Sequence, residues 1–378
     1  MEVIQRKNDV IFGKSDLEQL HRIDNFPVFM GCVEHPLEDD LTADFIWDIS
    51  KSSGVVQLRK LIPLPILYQG QHNSGLIGKI WQEHHLSFAR FVHRFSPSSV
   101  LEIGGAHGIL SQEYSKIADV PWVIAEPNPN PVPGCKATFL KGFIEELDVS
   151  SLTFDTIVHS HVFEHVYEPN SFVRRLSEVT LTGKMMLFSL PNLENMLKND
   201  YTNTLNFEHT VFLTEPYIDY LLAKNGFEVV EKKYFMEDHS IFYAARRVAD
   251  QPVLGNNLED LYTYNKSLYL GFLKRLGLYI SELKISMEKS PRPLYLFGAH
   301  IFSQYLLMSG LGQENFQGIL DNDPKKQGKR LYGTNLSVSS PEVLRSQENA
   351  TVILNAGIYN KEIRKDISEN IHKNVVFL

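Results

Sequence analysis

Apolar residues recur along the chain with two periods, and the periods mark out its elements. Leu76, Ile80, Trp81, His84, Leu86, Phe88, Phe91 and Val92 fall at helical spacing over residues 75–95. Short apolar runs ending at Glu102, at 123–125 and at 154–158 then read as strands, and strands and helices alternate to about Arg247. That alternation predicts an α/β unit with a parallel sheet. Residues 249–257 carry Pro, Gly and Asn and read as a linker, and 258–288 read as one long amphipathic helix. A second strand–turn–helix starts at Leu294. Its next strand, 316–320, ends at Asp321, and 351–355 and 375–378 supply later strands. Residues 1–66 are mixed, with β-like runs at 26–30 and 54–58, and Pro63 and Pro65 mark the exit. The expected organisation is a small N-terminal domain over 1–66, an α/β domain over 67–248 and a second α/β domain over 249–378.

Within residues 97–108 a short apolar strand ends in the acid Glu102 and a turn with Gly104, Gly105 and Gly108 follows, after which Ile109–Tyr114 begin a helix. Glycines let the chain turn sharply and let a ligand approach the backbone. The helix start offers unpaired N–H groups to it. The spacing is E-x-G-G-x-x-G, not the dinucleotide-type G-x-G-x-x-G. A second strand ends at Glu126, 24 residues after Glu102. An acid about that far along hydrogen-bonds ribose hydroxyls in Rossmann-like folds. Together these residues resemble the first motifs of the class I S-adenosylmethionine (SAM) methyltransferases. The resemblance implies SAM as cofactor, held by Glu102, Gly104, Gly105, Gly108 and Glu126, with Gly142 and Phe143 near the adenine and His159 at the end of the next strand.

Composition narrows the class. The chain has 378 residues, 43% of them apolar, enough for two or three domains with real cores. A net charge of −8 argues against non-specific nucleic-acid binding. No apolar stretch is long enough to span a bilayer, and the first residues lack an apolar signal region. Two cysteines, Cys32 and Cys135, suit a reducing cytoplasm and leave neither a disulfide framework nor a cysteine zinc site. A soluble, cytoplasmic enzyme is expected, with monomer or homodimer open.

The order of motifs resembles the sugar C-methyltransferase family, which acts on nucleotide-linked deoxysugars. The resemblance runs from about residue 10 to the end. Its most specific part is Asp321-Asn-Asp-Pro-Lys-Lys-Gln-Gly328, followed by Tyr332-Gly-Thr334 and Val338-Ser-Ser-Pro-Glu342. Phe297-Gly-Ala299, Phe163-Glu-His-Val166 and Asn206-Phe-Glu-His209 add to it. It implies a zinc-binding N-terminal domain, a SAM domain and a C-terminal Rossmann-like domain that helps bind the nucleotide sugar, in the setting of polysaccharide biosynthesis. It also implies Glu208 and His209 as the catalytic pair, with His165, Tyr68, His72, Asn206, His239 and Asp321 toward the substrate. Two departures matter. Ser50 and Ser53 stand where the family carries thiolates, and a hydroxyl does not replace a thiolate on structural zinc, so no metal is expected. Asn206 stands where the family often has a tyrosine, which leans the acceptor toward a sugar hydroxyl rather than a carbon beside a ketone.

The residues themselves leave alternatives. Glu208 and His209 either do acid–base work or cap the segment that follows. His165 either faces the substrate or is a packed histidine, and His161 and His165 lack the H-E-x-x-H metal pattern. His239 lies in a substrate loop or a plain turn. The C-terminal unit lacks the nicotinamide fingerprint, which disfavours an NAD-dependent sugar oxidoreductase. A non-catalytic nucleotide-sugar binder with a residual SAM domain is the other alternative.

Overall fold

The computed structural model describes residues 2–68, 78–250, 252 and 258–378. The N-terminal part holds a three-stranded antiparallel sheet of β1 (Leu17–Pro27), β2 (Thr42–Ser50) and β3 (Val56–Leu58), in the order β1-β2-β3. Where the resembling family has metal ligands, this unit has a web of hydroxyls and carboxylates. Ser53 donates to Asp9 at 3.2 Å and Ser50 to Asp16 at 2.9 Å. Asp9 also accepts from the backbone N–H of Ile11, Phe12 and Lys14, and Asp16 from that of Ser52. The web ties the N-terminal turn to the end of β2.

The middle of the chain holds α1 (Lys79–His93), β4 (Val100–Ile103), α2 (Ile109–Ser115), β5 (Trp122–Glu126), β6 (Thr138–Lys141) and β7 (Thr156–Ser160). It continues with α3 (Pro169–Val179), β8 (Met185–Pro191), α4 (Leu193–Lys198), α5 (Glu215–Lys224), β9 (Phe227–Phe235) and β10 (Ser240–Arg247). Seven strands form one sheet in the order β9-β10-β8-β7-β4-β5-β6. The pairs from β8 to β6 are parallel, and β10 runs antiparallel to both β8 and β9. This is the mixed α/β sheet that the sequence resemblance implies for this part of the chain. Both faces are covered, so the strands are near-continuous apolar runs. Leu101, Ile103, Ile157 and Phe188 pack toward α3 and α5, and Val100, Ile124, Val158 and Leu187 toward α1 and α2. Strand order reverses between β4 and β7, which opens a crevice at the carboxyl ends of those strands.

The long helix α6 (Leu261–Lys289) leads to a second, all-parallel sheet. It contains β11 (Leu294–Phe297), β12 (Gly318–Leu320), β13 (Val338–Ser339), β14 (Thr351–Leu354) and β15 (Val376–Phe377), ordered β13-β12-β11-β14-β15. One continuous core joins the parts. Phe45 and Trp47 of β2, Leu197 and Phe207 of the middle unit, and Tyr269, Phe272 and Leu296 all belong to it.

Candidate active site

The glycine turn follows β4 directly. Gly104 (φ 68°) and Gly108 (φ 69°) take left-handed conformations that side chains disfavour. Gly105 is needed for a different reason: a Cβ there would lie 2.6 Å from Ile124 and 2.8 Å from the Glu102 carboxylate. At the end of β5 the Glu126 carboxylate accepts from Ala106 N at 3.0 Å and Asn128 N at 2.9 Å. These bonds hold the turn against β5 and leave lone pairs on both oxygens. Gly142 N donates to the Glu126 carbonyl at 3.1 Å, so Gly142 and Phe143 flank the same edge. His107 Nδ1 lies 2.7 Å from the Asn130 carbonyl, and its Nε2 is buried with no partner among the described residues. An acid at the strand end, a glycine turn and an unsatisfied imidazole nitrogen fit the ribose and polar groups of SAM.

Glu102 lies beneath this turn rather than in the crevice. It is 2% exposed and accepts from the Trp122 indole N–H at 2.7 Å. Burial pushes its pKa up to about 7, the indole opposes that, and the Glu126 charge adds to it. Its part is to support the turn from below. The structure also moves His159 out of the expected cofactor set. Its ring stacks on Phe188 at 4.7 Å, edge-on to Phe163 and Phe172, and is 0% exposed. Its strand neighbours explain this, because residues of even parity with Ile157 on β7 face the α3–α5 core.

The acceptor side is built from three loops at the same end of the sheet. Asn206 is a turn former, not a free substrate ligand: its Oδ1 accepts from the N–H groups of both Glu208 and His209 at 2.8 Å. It thereby fixes where the Glu208–His209 pair points. His209 Nδ1 lies 3.3 Å from the Thr204 carbonyl. That contact places the proton on Nδ1 and leaves the Nε2 lone pair for chemistry. Burial holds the His209 pKa below the ordinary imidazole value, opposed by the Glu164 charge, so the ring is neutral and able to accept a proton. His165 stands beside it, ring centroids 5.0 Å apart, with Nδ1 3.7 Å from Glu208. The Tyr68 hydroxyl is buried and feels the charges of Glu208, Glu164 and Glu126, while its carbonyl accepts from Asn128. Tyr68 therefore stands between the glycine-turn side and the Glu208–His209 side. His72 lies outside the described residues.

Sequence reasoning missed a buried polar chain behind this pair. Glu164 Oε1 meets His161 Nδ1 at 3.0 Å, His161 Nε2 meets Ser240 Oγ at 2.9 Å, and Ser240 Oγ meets His239 Nδ1 at 2.7 Å. Trp81 and His84 of α1 pack on His161 and His239, and His84 reaches Ser189 at 2.8 Å. His239 is thus anchored to Ser240 at the start of β10, closer to a structural role than to an open substrate loop. Glu164, His165 and His209 bring ligand-type atoms within 4.8 Å of one another, a grouping that the sequence reading, which expected no metal, did not foresee. Asp321 is in the other sheet. Its carboxylate accepts from Ala299 N at 2.8 Å, Asp323 N at 2.9 Å and Lys326 Nζ at 3.0 Å. It caps the turn after β11 as Glu126 caps the turn after β4.

Comparison with known proteins finds a family match over this part of the chain. Residues 80–232 match the family model described as a methyltransferase domain. Solved structures with similar folds include a SAM-dependent methyltransferase from Mesorhizobium loti (11% identity, 42% of this chain and 96% of that one, TM-score 0.35). Human N-acetylserotonin methyltransferase in complex with SAM is another (14%, 45% and 53%, 0.38). The N-methyltransferase NodS from Bradyrhizobium japonicum is a third (14%, 45% and 97%, 0.33). No curated protein matches the chain. Residues 80–232 therefore carry a methyltransferase domain. No helix among the described residues is long and apolar enough to cross a membrane.

Proposed function

We propose that this enzyme transfers a methyl group from SAM to a nucleotide-activated sugar, with a sugar hydroxyl as the favoured acceptor and a carbon beside a ketone as the other. The observation that carries the reading is the arrangement of Asn206, Glu208 and His209. A half-buried imidazole, tautomer fixed by Thr204, sits beside the buried Glu208 carboxylate at the carboxyl edge of the methyltransferase sheet. When bound, SAM supplies an electrophilic methyl group on a sulfonium. The chain aligns the acceptor behind that methyl, and His209 Nε2 takes the hydroxyl proton as the new bond forms. Glu208 holds a neighbouring hydroxyl, and Tyr68 closes the space between donor and acceptor.

The nucleotide-sugar substrate is supported by the second α/β unit and by the sequence resemblance of 321–342. Gly357, just past β14, lies against Tyr201, where a Cβ would stand 3.5 Å from the ring. The loops past β14 therefore approach the segment that carries Asn206 and His209. A substrate with a sugar at the methyltransferase crevice and a nucleotide toward the second sheet fits that layout. Incubating the protein with SAM and a panel of nucleotide sugars, read by mass spectrometry, should give one sugar nucleotide heavier by a single methylene unit. Methylation of free sugars or non-sugar acceptors alone would overturn the substrate class.

A further inference from the structure

Behind the acceptor crevice lies a buried carboxylate whose charge is balanced by no Lys or Arg among the described residues. Glu164 is 2% exposed, and among the described residues its ion-pair neighbours are His161 and His165. Its Oε1 is held by His161, while Oε2 is buried with no hydrogen-bond partner. An unsatisfied buried carboxylate oxygen is costly. The atoms that could complete it are imidazole nitrogens: the ligand-type atoms of Glu164, His165 and His209 all lie within 4.8 Å of one another.

We propose that Glu164, His165 and His209 form a binding site for one borderline divalent cation, of the zinc or cobalt type. Two imidazoles and one carboxylate are a donor set that suits such ions better than Mg²⁺ or Ca²⁺, which prefer all-oxygen shells. The supporting shell is already built. Metal-binding histidines commonly donate their other N–H to a backbone carbonyl, and ligating carboxylates are themselves hydrogen-bonded. Thr204 O does the first for His209, and His161, backed by Ser240, does the second for Glu164. Three protein ligands leave a coordination position open, as in catalytic rather than structural zinc sites. Glu208, 3.7 Å from His165, is the next acidic neighbour.

The inference shares His209 with the proposed reaction but is tested by binding rather than turnover. A cation on Nε2 occupies the lone pair that would take the acceptor's proton, so the loaded protein should be inactive. The probe is ZnCl₂ alone, titrated calorimetrically into the full chain previously stripped by a chelator. One zinc per chain is expected. Glu164→Gln should weaken binding at least about tenfold, and His161→Phe, which keeps a ring but removes the hydrogen bonds to Glu164 and Ser240, about 10–100-fold. Glu178→Gln, on an exposed helix face, should leave binding unchanged. If Glu164→Gln fails to fold, the visible spectrum of the cobalt-loaded wild type decides, since bands of nitrogen- and oxygen-ligated Co²⁺ must vanish in His165→Ala. No binding, or equal binding in wild type, Glu164→Gln and His161→Phe, overturns the site. Site-specific binding with turnover raised instead of blocked would keep the site and refute His209 as base.

Discussion

At the scale of single residues, Glu102 shows how much chemistry burial can add to a supporting role. Its carboxyl pKa, pushed up to about 7, lies above the unfolded value near 4.5. The folded chain therefore prefers the neutral acid. The stability tied to that preference is fully present below pH 4.5 and is lost as pH rises through 7. Glu102→Gln keeps an acceptor for the Trp122 indole and removes the charge. Relative to wild type it should gain stability progressively from pH 4.5 to 7 and then level off, by roughly 3 kcal/mol at most. Denaturant unfolding at pH 5 and pH 8 measures this, and an equal difference at the two pH values would show that Glu102 does not titrate there. His209 illustrates the same physics in a useful direction. Burial holds the ring neutral, and one backbone carbonyl decides which nitrogen is available.

At the scale of elements, the strand–glycine turn–helix after β4 and the strand ending in Glu126 were legible because their signal is local. The acids and glycines lie within one βαβ unit, and the glycines perform two separate jobs there. Gly108→Ala places a Cβ 2.4 Å from Cys135 Sγ on a left-handed backbone. It should cost about 1–2 kcal/mol from the backbone alone and also weaken SAM binding by displacing the 127–137 loop. Gly183→Ala, also left-handed but at the amino-terminal end of β8 with open space around it, should cost similar stability and leave SAM affinity unchanged. Equal SAM affinities in the two variants, by calorimetry, would remove the turn from the cofactor site. Other parts were not legible, for reasons of distance. The Glu164–His161–Ser240–His239 chain joins loops 79 residues apart, and no spacing rule connects them. Asn206 matched a motif by position, but its side chain is consumed in shaping the turn. His159 could have been placed correctly from strand parity alone, since Ile157 and His159 share a face of β7. Ser50 and Ser53 showed that thiolates were missing, but not that Asp9 and Asp16 would close the gap.

At the scale of the molecule, one hydrophobic core joins the small antiparallel sheet, the segment around Leu197 and Phe207 and one face of the second α/β sheet, while the seven-stranded sheet buries its two faces in cores of its own. The N-terminal strands are therefore part of the body of the enzyme. Asp321 and Glu126 each bind an alanine N–H across the turn that follows the neighbouring strand, so the two α/β units use the same device at equivalent places. One unit carries the SAM side, and the segment 201–209 brings the Glu208–His209 pair toward loops of the other. The most direct test of this arrangement is His209→Ala, read at once by turnover on the proposed sugar-nucleotide acceptor and by SAM affinity. Turnover should fall by about 10²–10⁴-fold, the range for loss of a positioned general base, with SAM affinity unchanged because Glu126 and the glycine turn are untouched. Turnover near that of the wild type would place the proton acceptor elsewhere and contradict the mechanism.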